Sequence, residues 1–147
     1  MNEKGVLEWQ KSFGGSGVDL LQSVQNTNDG GFILAGTSTS NSGGDKLENS
    51  KGQEDFWILK LDAKGNQLWQ KTIGGSGQEK LMSIIQTKDG GYLLGGTSSS
   101  NKSALNEKGV PDVYGKTEDS KGGLDYWVVK LDFKGEIKWQ KTLGGKY

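Results

Sequence analysis

The stretch WILKLDAKGNQLWQKTIGG, residues 57–75, returns almost unchanged as WVVKLDFKGEIKWQKTLGG, residues 127–145. A third, partial copy, EKGVLEWQKSFGG, fills residues 3–15. Each full copy opens with a run, DFWILKLD or DYWVVKLD, that is apolar on both faces, as a strand inside a sheet must be. Asp-x-Lys-Gly then turns the chain into a second strand, NQLWQKTI or EIKWQKTL. Alternation in that strand puts Trp69, Lys71 and Ile73 on one face, and Trp139, Lys141 and Leu143 on the matching one.

The repeat extends outward from this hairpin. Gly5–Asn41 aligns with Gly65–Asn101, with about half of the positions identical. Beyond it the register slips, and the extra residues all fall near ALNEKGVPDVY, in one loop. An insertion confined to one loop of a periodic chain marks a surface loop. Two further strands complete each unit: LLQSVQNT or LMSIIQT, then FILAGTS or YLLGGTS, joined by a DGG turn at Asp29 or Asp89. No segment sustains a helical period.

The expectation is an all-β chain of β-propeller blades: two four-stranded antiparallel units plus one extra N-terminal strand. Residues 1–15 are the outer strand of a preceding or partner blade, 16–75 the first blade and 76–147 the second. One such sheet leaves an apolar face in water unless a like neighbour packs on it.

Composition narrows the function. Only 31% of residues are apolar and 25 are Gly, yet the five Trp sit within aliphatic runs, which argues for a folded chain. Eighteen basic residues balance eighteen acidic ones, so no net charge points to nucleic acid. No apolar run reaches the ~20 residues of a membrane-spanning helix, and MNEKGVLEW holds no signal-peptide core. The chain is therefore expected either to stay inside the cell or to be a mature or excised piece. Cys and His are both absent, which removes disulfides, thiolate and imidazole catalysis and the common zinc sites.

Two resemblances follow from these motifs. LDAKGNQLWQ and LDFKGEIKWQ resemble the tryptophan-docking motif of quinoprotein-type propellers. There an Asp ends the third strand, a Gly turns, and an outer-strand Trp packs on the next blade; Asp62, Gly65 and Trp69, and Asp132, Gly135 and Trp139, match it. Those blades are much shorter, so their cofactor chemistry is not carried over. Over nearly the whole chain, GGDKLENSKGQEDFWILKLDAKGNQLWQKTIGGSG and SIIQTKDGGYLLGGTSSS resemble tandem repeats of secreted or surface-attached bacterial proteins, especially of the Bacteroidetes, often with type IX secretion sorting domains. That resemblance implies an extracellular or cell-surface location.

The search for chemistry finds little. GGSG at 14–17 and 74–77 lacks the Lys-Ser/Thr of a phosphate loop and reads as an inter-blade turn. The long loops hold oxygen donors suited to Ca²⁺: Asp45, Glu48 and Asp55, with Glu118 and Asp125 in the second unit. Their spacing fits no EF-hand, and Lys46 and Lys51 supply counter-charge, so Lys–carboxylate pairs and Asx turns are the competing reading. Trp9, Trp57, Trp69, Trp127 and Trp139 read as inter-blade core. Phe56, Tyr114, Tyr126 and Tyr147 are the rings that could stack on sugars. The expected protein is a non-enzymatic repeat scaffold or binding module needing no cofactor. Its expected partner is itself, in a closed ring of three or four chains, with a glycan or protein ligand besides. A lectin and a carboxylate-only glycoside-cleaving enzyme are the alternatives. The segment 105–114 reads as removable, since the first unit lacks it.

Overall fold

The computed structural model describes residues 2–104, 109 and 112–145. Eight strands follow one another: β1 (Asp19–Asn26), β2 (Phe32–Ser38), β3 (Asp55–Leu61), β4 (Gln67–Ile73), β5 (Glu79–Gln86), β6 (Tyr92–Ser98), β7 (Asp125–Leu131) and β8 (Ile137–Leu143). They form two separate antiparallel sheets in chain order, β1-β2-β3-β4 and β5-β6-β7-β8. No helix occurs among the described residues. The repeat holds in detail. Each sheet carries a bulge in its first strand, at Leu21/Ser23 and Leu81/Ser83, and another at Lys60/Leu61 and Lys130/Leu131.

The turns explain the strand lengths. Asp62 Oδ1 accepts the N–H groups of Lys64 and Asn66, each at 2.8 Å, and Asp132 Oδ1 those of Lys134 and Glu136, each at 2.9 Å. These Asx bonds hold the backbone so that Gly65 and Gly135 take φ of +84°, a conformation that favours glycine.

The sheets pack face to face, and the packing has a direction. The front of the first sheet presents Ile33, Ala35, Phe56, Ile58 and Ile73. It meets the rear of the second, built from Leu81, Ile84, Tyr92, Leu94, Trp127, Val129 and Leu131. These residues form one buried cluster. A smaller one, Trp57, Leu59 and Leu61, lies on the rear of the first sheet under Trp9, Phe13, Phe32 and Leu34. Every residue of β3 is therefore buried, whereas its copy β7 alternates, because no described residue forms a sheet over the front of the second one. The sheets do not close on one another.

The expected ninth strand does not form. Residues 5–15 have no strand structure. A strand needs a backbone edge to pair with, and the partner edge here would be the third strand of a preceding sheet. What remains is side-chain docking by an unpaired arm.

Candidate functional site

The tryptophan contacts form a repeated joint. The Trp69 ring lies on Gly135, so close that a Cβ there would stand 2.9 Å from Trp69 Cζ3. Its edge meets Tyr92, with ring centroids 6.0 Å apart at 66°. Trp9 does the same one sheet earlier. It covers Gly65, where a Cβ would stand 2.9 Å from Trp9 Cε3, and it meets Phe32 at 5.7 Å and 70°. Trp9 Nε1 also donates to the Ala63 carbonyl at 3.1 Å. Only glycine admits an indole at this distance while turning the chain. Trp139, the third in the series, meets no further sheet among the described residues and is 48% exposed.

Trp57 and Trp127 are buried, and each donates its Nε1 to a glutamine of the adjacent strand, Gln70 or Gln140, at 3.0 Å. Those glutamines reach onward into the long loops. Gln70 donates to the Asp45 carbonyl and accepts from Leu47 N; Gln140 donates to the Gly115 carbonyl and accepts from Thr117 N. The Gln of WQK is thus the post to which each loop is tied, a role the sequence reading missed. The constancy of that Gln in both copies was the available signal.

The five Ca²⁺ candidates are not brought together. Each instead accepts a backbone N–H: Asp45 from Gly14, Glu48 from Thr72, Asp55 from Lys51, Glu118 from Thr142 and Asp125 from Lys121. No group of three or more metal-ligating carboxylates occurs among the described residues. Of the two loop lysines expected to pair with carboxylates, Lys51 does so with Asp112, whereas buried Lys46 donates to the carbonyls of Ser40 and Glu48, and its counterpart Lys116 to that of Ser100. Burial pushes the Lys46 and Lys116 ammonium groups below their ordinary pKa.

A polar cluster that the sequence reading did not single out lies where the sheets meet. Glu79, fully buried, accepts Gly75 N and the hydroxyls of Ser98 and Ser100; Asp19 repeats this with Gly15, Ser38 and Ser40. Asp55 lies across Gly74 from Glu79, and its Oδ1 has no hydrogen-bond partner. Burial, with the Glu79 charge adding to it, raises the Asp55 carboxyl to about 6. Asp125 makes the same bonds at the uncovered end, and there the Lys121 N–H holds its pKa below the usual value. Asp29 is drawn down to about 2 by the Thr27 hydroxyl, the Gly31 N–H and Lys60.

Of the rings considered for sugar stacking, Phe56 is buried and Tyr126 is exposed, while Tyr147 lies outside the described residues. Tyr114 is engaged. Its hydroxyl accepts from Lys71 Nζ at 2.8 Å and donates to Glu136 at 2.6 Å, and its carbonyl accepts Gly74 N at 3.1 Å. The end of the inserted segment therefore packs on both sheets, which corrects the expectation that 105–114 is removable as a whole; residues 105–108, 110 and 111 lie outside the described residues. Lys51 and Asp112 pair at 2.7 Å and join the two long loops.

No protein-family model matches the chain. The regulatory protein FlaEY of Caulobacter vibrioides is 24% identical over 143 residues, which is 96% of this chain. The chain spans 14% of the length of that curated relative.

Proposed function

We propose that this chain is a β-propeller-type repeat module whose work is to stack sheets and present their long loops as a binding surface, without catalysis of its own. The observation that carries the reading is the repeated joint: Trp9 on Gly65 and Phe32, Trp69 on Gly135 and Tyr92. An architecture in which the same joint of an indole, a turn glycine and a second aromatic ring recurs supports extension to more blades. The recurring carboxylates are spent on turns and loop ties, which favours a scaffold over a hydrolase. The Caulobacter protein similar to this chain is named as regulatory, which sits with a binding role.

The test is to extend the chain. A third unit, copying residues 76–145, is fused after Gly145. The reading expects a higher unfolding free energy and a Trp139 shielded from solvent quenchers. A third unit that unfolds independently, with Trp139 still accessible, overturns it.

A further inference from the structure

Among the described residues no second sheet lies on the rear of the first sheet or on the front of the second, and these two faces are the two halves of the contact already made between the sheets. In that contact Phe56, on the front face, lies against Trp127, with ring centroids 5.1 Å apart. It is admitted by Gly96, where a Cβ would stand 2.9 Å from Phe56 Cζ. On the rear of the first sheet the matching place is a cavity of about 150 Å³ lined by Leu21, Leu34, Gly36 and Trp57 and, from the N-terminal arm, by Lys11 and Phe13, a size that admits a benzene-like ring. On the front of the second sheet the residue matching Phe56 is Tyr126. Phe56 is fully buried and Tyr126 is 69% exposed; likewise Leu81 is fully buried and its counterpart Leu21 is 59% exposed.

One element stands in the way. The place that Trp139 of an arriving front face would take, on Gly65 and Phe32, is held by Trp9. The arm LEWQKSF, residues 7–13, repeats the strand IKWQKTL that contains Trp139. The two are held unequally. β8 is laddered to β7 at six paired positions. Among the described residues, the only hydrogen bond from residues 7–13 to the sheet is that of Trp9 Nε1.

We propose that the arm is an internal occupant of a docking site for a second copy of this chain. In the assembled state Tyr126 of one copy enters the cavity beside Trp57 of the next, and its Trp139 displaces Trp9. The contact is head to tail, so it propagates into a ring or a filament according to its rotation. The arm lowers the apparent affinity to the intrinsic value multiplied by the fraction of molecules in which it is undocked. This inference rests on the stacking reading above, extended from within a chain to between chains.

Sedimentation from micromolar to submillimolar protein tests it. Trp9→Ala should tighten self-association by at least about tenfold, because the competitor is weakened. Deletion of residues 2–13 is the second variant should Trp9→Ala lose structure. Tyr126→Lys and Leu21→Lys, both at exposed positions, should each weaken association by about thirtyfold, as loss of a central contact does. Each blocks one face only, so their mixture should give a complex of twice 15.8 kDa and nothing larger. A folded Trp9→Ala protein that associates no more tightly than wild type overturns the proposal, as does a mixture that stays monomeric. Should the three-unit chain gain stability while these variants stay monomeric, stacking within the chain stands and only the docking of copies falls.

Discussion

Replacing Trp69 and Trp139 by Ala in parallel separates an engaged joint from an open one. The two residues hold the same place in their sheets, opposite Lys60 and Lys130 of the third strands, and they differ chiefly in what lies beyond the sheet. A buried Trp removes about 150–250 Å² from water, worth roughly 4–6 kcal/mol at ~25 cal/mol per Å². Trp69 is only partly buried, and that area is an upper bound on what folding hides. A loss of about 3–4 kcal/mol is expected, including about 0.5–1.5 kcal/mol for the edge-to-face pair with Tyr92. Trp139 is 48% exposed and meets no further sheet among the described residues, so its truncation should cost about 1–1.5 kcal/mol. Urea titration followed by far-UV circular dichroism reads both, at protein concentrations low enough to keep the chain monomeric. In heat the Trp69→Ala protein should melt roughly 6–12 °C below wild type. Two variants within about 0.5 kcal/mol of each other would refute the assignment of Trp69 to a joint between sheets.

Further outcomes follow from the buried polar groups and the turns. Asp55→Asn should be more stable than wild type at pH 7.5 and equal to it near pH 4. The folded pKa of Asp55 is raised from 3.8 to about 6, so wild type loses stability as pH rises through that interval while the Asn variant does not; denaturant titrations at both pH values check this. Gly135→Ala should cost at least about 1 kcal/mol, because its φ of +84° strains any L residue and the new Cβ meets the Trp69 ring. Tyr114→Phe should cost about 1–2 kcal/mol by leaving Lys71 and Glu136 without the hydroxyl between them, and thermal melts would show it.

The strands, their order and the tryptophan motif were legible because they rest on local signals: alternation, turn residues and near-identical copies. The role of Asp62 and Asp132 follows in the same way from a bond made within four residues. The polar ties were not legible. Gln70 meets Trp57 and Asp45 across the sheet and across a loop, and Glu79 meets Ser98 at the end of the neighbouring strand and Ser100 just beyond it. In sequence each of these looks like a solvated surface residue. Lys46 misleads for the same reason, since a lysine in a polar loop gives no sign that its ammonium is buried against carbonyls, as that of its counterpart Lys116 also is. The arm misled in the opposite sense. Its sequence is that of a strand, but a strand needs an edge, and this one has only a glycine and an aromatic ring to rest on.

The central claim is that sheets stack by laying an indole on the turn glycine of the next sheet. Proton chemical shifts of Gly65 and Gly135 test it most directly, because a hydrogen held over an aromatic face is shifted upfield. One Hα of each glycine should be shifted in this way. Trp9→Leu should return only Gly65 to an ordinary value, and Trp69→Leu only Gly135. Ordinary shifts at both glycines in the wild-type chain, or shifts indifferent to either substitution, would contradict it.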